Sequence, residues 1–219
     1  IGGAFETLLY GAKTPSHEAR MELRDIEKIG RASCQIGWTR DEAAGIALPT
    51  VFLLPEEFGG KIVVLTTLEG KSGLWNDAGE LRDEVALLLG KGVGVVAADL
   101  FDQGEFRDSE RHPELASRTN GDDRIPSITY GYNLTPLAQR AHDLLRVAHA
   151  ARSVAPKVEN VYLLALRGSA PYAAAALTLD EKSFDGAAMD TEGFRFTQLT
   201  DWRHVHFLPG GDRYGDIPG

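Results

Sequence analysis

The sequence predicts an α/β fold: a mostly parallel sheet in three layers, with an antiparallel hairpin near its N-terminal end and helices on both faces. Continuous apolar runs support this prediction, because strands that are apolar on both sides belong to parallel sheets covered by helices. These runs span residues 61–66, 92–99, 161–166 and 184–189. Segments with the apolar spacing of helices lie between them, and this alternation implies right-handed crossovers.

Length and composition agree with a globular chain. The 219 residues are 43% hydrophobic and 25% charged, which suits one or two domains with a proper core. The net charge of −9 argues against nucleic acid as a partner, because phosphate binding needs clustered Lys and Arg. The single cysteine, Cys34, excludes an internal disulfide framework and a multi-cysteine zinc cluster. No apolar run approaches the ~18 residues of a membrane span, and no segment predicts a signal peptide.

The first element predicted along the chain is a helix in an N-terminal extension, residues 1–30. Thr14-Pro15-Ser16 resembles a helix start, and residues 17–29 offer apolar side chains for one helix face before Gly30 ends it. We therefore divide the chain into this extension and an α/β domain over residues 31–219.

The α/β domain is predicted to begin with two antiparallel strands. Residues 32–38 and 46–54 have the composition of strands and flank a polar loop, which predicts a hairpin at the edge of the sheet. The helices that follow are predicted at residues 79–89, 134–152 and 171–179. The second has the clearest pattern, because its apolar residues lie on one stripe: Leu137, Ala141, Leu144, Leu145 and Ala148.

The turn after the third parallel strand, residues 165–171, is predicted to be a nucleophile elbow: a strand, a sharp turn and an Ala-rich helix. Such a turn needs small residues two positions before and after its apex. With Arg167 at the apex, the flanking Ala165 and Ser169 are small, but Arg cannot attack; the strand length favours this register. With Ser169 at the apex the nucleophile is suitable, but Arg167 and Pro171 are bulky. Ser169 is thus the candidate nucleophile, and its alternative role is to cap the next helix.

Acids and histidines that could complete a catalytic triad lie in the C-terminal tail. Candidate acids are Asp190 and Asp201, and candidate bases are His204 and His206. They follow Ser169 in the nucleophile–acid–histidine order of one class of triads. His204 and His206 could instead bind zinc together with a carboxylate. We predict no metal and no cofactor, because a zinc site needs three or four converging ligands.

Candidate binding residues lie in three loops. The loop after the first parallel strand, in the position of an oxyanion-hole loop, offers Glu69, Lys71 and Trp75. The loop after the second offers Asp102 and Gln103, for which the alternative is a structural turn. The third group, before the long helix, could line a sugar pocket or serve for packing and helix capping: Tyr130, Tyr132 and Asn133. Arg167 completes the predicted binding set.

Four segments in this order resemble the acetylxylan-esterase-like branch of the α/β-hydrolase superfamily. They are residues 61–75, 92–105, 130–143 and 207–219. The resemblance implies a three-layer hydrolase fold and deacylation of carbohydrate esters, with a carbohydrate ester or polysaccharide fragment as partner. It also implies that a serine attacks the acyl carbon and that a histidine relays the proton. An acid would orient the histidine, and backbone N–H groups would hold the oxyanion. A secreted or periplasmic location would follow from the family.

The chain departs from this family at the elbow, because the pattern G-x-S-x-G is absent. It also lacks recognisable later strands, so we expect a degenerate or truncated half that forms homo-oligomers or associates with a catalytic half. Three hypotheses remain: an esterase built on Ser169, a catalytically silent binding or scaffold domain, and a metal-dependent hydrolase. A silent domain predicts that Arg167 lies at the apex and pairs with a carboxylate such as Asp99 or Asp190.

Overall fold

The computed structural model describes residues 7–9, 18–107, 114–116, 130 and 133–211. In this part of the chain a single sheet contains seven strands: β1 (Arg20–Ile29), β2 (Ala32–Asp41), β3 (Ile46–Pro55), β4 (Lys61–Thr66), β5 (Val93–Ala98), β6 (Asn160–Ala165) and β7 (Gly186–Met189). Three α-helices connect them: α1 (Asp83–Gly90), α2 (Pro136–Ala151) and α3 (Ala170–Leu179). None of these helices is long and apolar enough to cross a membrane.

The strand order in the sheet is β1-β2-β3-β5-β4-β6-β7. The first three strands form an antiparallel meander, and β3 joins β5 in antiparallel register. The remaining neighbours, β5, β4, β6 and β7, are all parallel. The predicted hairpin and the four predicted parallel strands are therefore confirmed, with bounds that differ by two residues or fewer, except that the hairpin strand β2 runs on to Asp41.

The helix predicted over residues 17–29 is wrong, because residues 20–29 form the edge strand β1. Met21 and Leu23 pack against the core, and they lie opposite Thr39 and Gly37 of β2. Their spacing of two is the period of a strand, which puts them on one face of the sheet. Gly37 permits the close pairing, since a Cβ there would lie 2.0 Å from a backbone oxygen of β1. The proposed helix start at residues 14–16 lies outside the described residues.

The core consists of two hydrophobic clusters, one on each face of the sheet. One cluster holds α2 and α3 against the sheet, and the predicted stripe of α2 is fully inside it. The other cluster holds α1 through Val85, which belongs to the same buried cluster as Val63 and Leu65 of β4. Burial of each such leucine or valine contributes about 1.5–3 kcal/mol. The three-layer prediction is confirmed.

The parallel strands bring four loops to one edge of the sheet, because their carboxyl ends point the same way. These loops follow β4, β5, β6 and β7. The second helix begins at this edge as well, with Pro136 as its first residue and Thr135 as its cap, whose hydroxyl accepts from the Ala138 N–H. The candidate site is built from these segments.

Candidate functional site

The turn after β6 has the geometry of a nucleophile elbow, and Arg167 lies at its apex. Arg167 has a φ of +50°, a value that non-glycine residues rarely adopt, and Gly168 follows at +76°. A Cβ on Gly168 would lie 2.6 Å from the side chain of Leu68, so the turn also packs tightly against the loop after β4. The register favoured by the strand length is thus the one that forms, and it puts a guanidinium where a nucleophile would stand.

The guanidinium of Arg167 is tied to two groups. Its Nη1 donates to Glu84 Oε1 at 2.6 Å, and its Nη2 donates to the carbonyl of Gly73 at 2.7 Å. Partial burial pushes the pKa of Glu84 upward, but the hydrogen bond and charge of Arg167 outweigh this and hold the pKa below its usual range. Arg167 therefore pairs with a carboxylate, as expected for a silent domain, but the carboxylate is Glu84 of α1 and not Asp99 or Asp190.

Ser169 lies within the turn, fully buried, and its hydroxyl faces backbone oxygens. Its Oγ is 2.8 Å from the Thr66 carbonyl and 2.9 Å from the Leu166 carbonyl. Ser169 stands at the N-cap position of α3, but its side chain does not cap the helix. In the described part of the chain, no hydrogen bond joins this hydroxyl to His204 or His206. The side chain therefore links β4 to β6 instead of facing a base.

His206 lies against the elbow, packed among aromatic rings. Its ring centroid is 5.9 Å from that of Tyr172 and 5.5 Å from that of Phe194. Burial, reinforced by the charges of Arg140 and His204, lowers the pKa of His206 to about 3, although a hydrogen bond to the Gly168 backbone opposes the shift. A ring with so low a pKa is neutral near pH 7 and is a poor general base.

The two candidate acids, Asp190 and Asp201, accept hydrogen bonds from the backbone and from an arginine. Asp190 follows β7 and accepts from the Glu192 N–H at 3.0 Å. Asp201 accepts from the guanidinium of Arg203, with both Nε and Nη2 at 2.9 Å from its oxygens. The hydrogen bond from Arg203 holds the pKa of Asp201 below its usual range. The structure thus does not assemble Ser169, a histidine and an acid into a triad.

The two histidines also do not form a metal site. They are not on a strand; their rings lie 5.0 Å apart, and Nδ1 of His204 accepts from the backbone N–H of His206 at 3.0 Å. Across the described ranges, no group of three or more His, Cys, Asp or Glu side chains could hold a metal ion. The metal-dependent hypothesis therefore has no support in these residues.

Lys71, Asp99 and Glu105 form a cluster of charged side chains between two loops, in which Asp99 is buried and Glu105 is exposed. The Lys71 ammonium contacts Asp99 and lies 2.5 Å from Glu105 Oε1. Asp99 also accepts from the Lys71 and Glu105 N–H groups, at 2.9 and 3.0 Å. A Cβ at Gly104 would lie 2.1 Å from the Asp99 carboxyl carbon, so only glycine fits there. This cluster joins the loops after β4 and β5, so Asp99 and Lys71 have a structural role.

Glu69 and Trp75, also predicted as binding residues, have structural contacts as well. Glu69 lies 3.7 Å from the guanidinium of Arg82. Trp75 forms an isolated backbone bridge with Leu81 and packs against the core on the α1 face. Both therefore hold the loop after β4 against α1.

A network of polar side chains lies under the same loops; Gln103 was predicted as a binding residue, whereas Arg140 was not predicted. Arg140, fully buried, donates through Nε to the Phe101 carbonyl at 2.9 Å and through Nη2 to the Asp102 carbonyl at 2.8 Å. Gln103 donates to Thr67 O at 3.0 Å and to the hydroxyl of Tyr172 at 3.1 Å. The sequence carried no signal for Arg140, because a position off the apolar stripe of a helix is ordinarily exposed, whereas nearly all of α2 is buried.

The three predicted residues before α2 have different surroundings. Tyr130 packs on Trp202 and Phe207, at ring distances of 6.2 and 5.8 Å. Burial, with the charge of Asp102 adding to it, raises the pKa of Tyr130 to about 12. Asn133 is exposed and does not cap α2, because Thr135 does so. Tyr132 lies outside the described residues.

Comparison with known proteins gives fold neighbours only. No protein-family model and no curated protein matches the chain. A candidate acetyl xylan esterase from Bacteroides fragilis matches with a TM-score of 0.55 and 16% identity, over 85% of this chain and 50% of the other. An acetyl xylan esterase from Paenibacillus sp. R4 matches with 0.51 and 15%, over 83% and 56%. The glucuronoyl esterase from Solibacter usitatus matches with 0.51 and 14%, over 97% and 67%.

These similarities confirm the predicted fold. The chain has the α/β-hydrolase fold that the resemblance implied, and it is similar in structure to esterases of the acetyl xylan type. It spans about half the length of the first of these proteins, with 50% of that chain covered. Identities of this size show the shared fold and leave the chemistry to be argued from the site itself.

Proposed function

We propose that this chain is a catalytically silent α/β-hydrolase domain of the carbohydrate-esterase type, which binds a carbohydrate and does not itself cleave an ester. The observation that supports this proposal most directly is Arg167 at the apex of the elbow, with a φ of +50°. An arginine remains protonated in proteins and cannot act as a nucleophile. The guanidinium instead forms an ion pair with Glu84, which is a structural contact.

The surroundings of Ser169 also support a catalytically silent domain. A serine nucleophile needs a base within hydrogen-bond reach and an open path to the substrate. The Ser169 hydroxyl instead lies against two backbone carbonyls and is fully buried. His206, although near the turn, has a depressed pKa of about 3 and binds the Gly168 backbone.

The carbohydrate part of the proposal is supported by the fold neighbours, which are described as acetyl xylan esterases and a glucuronoyl esterase. The domain keeps the loops after β4, β5 and β6 at the edge where such folds hold their ligands. Loss of the nucleophile removes the reaction and leaves this edge available for binding. A carbohydrate, esterified or not, is therefore the ligand class that we propose.

A labelling experiment tests the silence of the site. The chain is treated with a fluorophosphonate probe, and intact mass is measured on the wild type and on Ser169→Ala, with an active serine esterase as the positive control. We expect no adduct on either form, while circular dichroism shows both to be folded. An adduct on the wild type that disappears in Ser169→Ala would overturn the proposal and support ester hydrolysis at Ser169.

Association with another polypeptide is the second part of the proposal. Among the described strands, β7 lies at the end of the sheet order and pairs with β6 on one side. An open strand edge can pair with another strand. We therefore expect the chain to form a homo-oligomer or to bind a catalytic half, and light scattering that finds only monomer at high concentration, together with no complex, would contradict this.

A further inference from the structure

A pocket of about 400 Å³ opens beside the carboxyl end of β5, between the start of β3 and the first turns of α2. We call it the Phe106 pocket; it is lined by Gly45, Ile46, Ala47, Leu48, Phe101, Asp102, Phe106, Gln139 and Asp143. Its volume lies in the range of about 300–1,000 Å³ that small-molecule sites occupy. Since β4 separates β5 from β6, strand β5 beside the pocket lies two strand spacings, about 10 Å, from the elbow strand β6.

The lining of the pocket combines an aromatic rim with a few polar groups. Phe106 is 48% exposed, so its ring is accessible to a ligand at the rim of the pocket. The remaining apolar walls are Ile46, Leu48 and Phe101. Gln139 offers an amide that has no hydrogen-bond partner among the residues that the structure describes, and it can both donate and accept. An aromatic ring next to an amide suits a pyranose, which presents an apolar C–H face and hydroxyl groups at its edge.

The pocket floor is held rigidly by the polar network of the neighbouring loops. Asp143 accepts from the Phe101 N–H at 2.9 Å, and Arg140 donates to the Phe101 and Asp102 carbonyls. Asp102 is held at a φ of +59°, a conformation that costs free energy and persists only where the surroundings enforce it. A floor constrained from both sides needs little ordering when a ligand binds, and this favours affinity.

The charges of the lining exclude one class of sugar. Its ionisable residues are Asp102 and Asp143, and no Lys or Arg belongs to the described lining. Both carboxylates already form ion pairs with an arginine: Arg107 lies 3.6 Å from Asp102, and Arg146 Nη1 lies 3.0 Å from Asp143. Among the described residues of the lining, an anionic sugar would meet two carboxylates and no Lys or Arg, whereas a neutral sugar would meet hydrogen-bonding groups and apolar walls.

We propose that the Phe106 pocket binds a neutral saccharide, with the ring of Phe106 stacked on a pyranose face and Gln139 hydrogen-bonded to its hydroxyl groups. This inference rests on the proposed function for the ligand class, and it adds the place, the contact residues and the preference for an uncharged sugar. It separates the binding site from the elbow, where the hydrolytic chemistry of the fold would occur.

Titration calorimetry of the whole chain with a neutral xylo-oligosaccharide tests the pocket. The variants are Phe106→Ala and Gln139→Ala, and the control is Leu87→Ala, which removes another exposed large apolar side chain, from α1. We expect Phe106→Ala to weaken binding about tenfold, which corresponds to about 1.4 kcal/mol, because the stacking contact with the sugar is lost. Gln139→Ala should weaken it by a smaller factor, and Leu87→Ala should leave it unchanged.

The outcomes separate this inference from the function on which it rests. Unchanged binding in Phe106→Ala and Gln139→Ala would overturn the pocket while carbohydrate binding stands. Tighter binding of a uronic-acid oligosaccharide of the same length would overturn the charge argument. No binding of any neutral oligosaccharide by the wild type at millimolar concentration would overturn both the pocket and the carbohydrate part of the function. Fluorophosphonate labelling of Ser169 would overturn only the proposal that the elbow is catalytically silent.

Discussion

Arg167 and Glu84 form an ion pair across the candidate site, with 2.6 Å between Nη1 and Oε1. Arg167 stands at the turn between β6 and α3, and Glu84 lies in the first turn of α1, 83 residues earlier in the chain. The two helices cover opposite faces of the sheet. The pair therefore ties one layer of the domain to the other, at the position where this fold would carry a nucleophile.

We expect Glu84→Gln to destabilise the domain by about 1 kcal/mol or less at pH 7, because both side chains are about a third exposed to solvent. The folded-state pKa of Glu84 is depressed, so its contribution is present above the unfolded-state pKa and is lost as the pH falls through the folded value. Urea unfolding at pH 7 and at acidic pH measures both effects. The control is Glu80→Gln, an exposed neighbour; an equal loss in both variants, or a loss that persists in acid, would contradict the prediction.

Ser169→Ala should lower the free energy of unfolding by about 1 kcal/mol, the usual net value of a buried hydrogen bond. The lost hydroxyl lies between the Thr66 and Leu166 carbonyls, which keep their backbone N–H partners. The matched control is Thr178→Ala, which removes an exposed hydroxyl bonded to the Ala174 carbonyl. Urea unfolding checks the difference. A Ser169→Ala variant that is as stable as the wild type would show that the hydroxyl has no structural role.

Arg140→Met should destabilise the domain by about 2–4 kcal/mol. The change removes the Arg140 hydrogen bonds to the Phe101 and Asp102 carbonyls, although Arg107 Nη1 still donates to the Asp102 carbonyl at 3.2 Å, and it loosens the constrained backbone of Asp102. Hydrogen exchange should therefore speed up at the Phe101 amide, which Asp143 binds. Arg31→Met is the control, because that side chain is 78% exposed. Wild-type stability together with unchanged exchange at Phe101 would refute the clamp that we assign to Arg140.

Asp143 should make stability depend on pH in the direction opposite to Glu84. Burial raises its pKa to about 6, although the charge of Arg146 and the Phe101 N–H oppose the shift. The folded state then holds the proton more tightly than the unfolded state, so this group stabilises the fold at low pH and loses that effect as the pH rises to about 6. The measurement is the difference in unfolding free energy between wild type and Asp143→Asn at several pH values. We expect the wild type's advantage to shrink from pH ~4 to pH ~6, and a constant or growing advantage would refute the raised pKa.

The parallel strands could be predicted because each is a short apolar run that is buried on both faces. β4 matches the predicted residues 61–66, and β6 differs by one residue at each end. The edge strand β1 could not be predicted in the same way. Its sequence mixes charged and apolar residues with a spacing that also fits one helix face, and only pairing with β2 selects the extended form.

In the candidate site, too, one feature could be predicted from the sequence and the others could not. The apex position of Arg167 follows from the local order of small residues around the turn, because sterics within a few residues decide which side chain stands there. The serine, the two histidines and the acids follow the chain order of a triad, yet chain order carries no distance, and the fold gives Ser169, His206 and Asp201 separate partners.

The sequence by itself determined the α/β class, the parallel strands and the hairpin, and it favoured Arg167 at the elbow apex, since these depend on local burial patterns and local sterics. Only the tertiary structure decided the rest. It decided that Glu84 pairs with Arg167, that Arg140 clamps the loop after β5, and that Phe106 stands at the rim of a pocket. These relationships join residues far apart in the chain, and the packing of helices on both faces of one sheet brings them together.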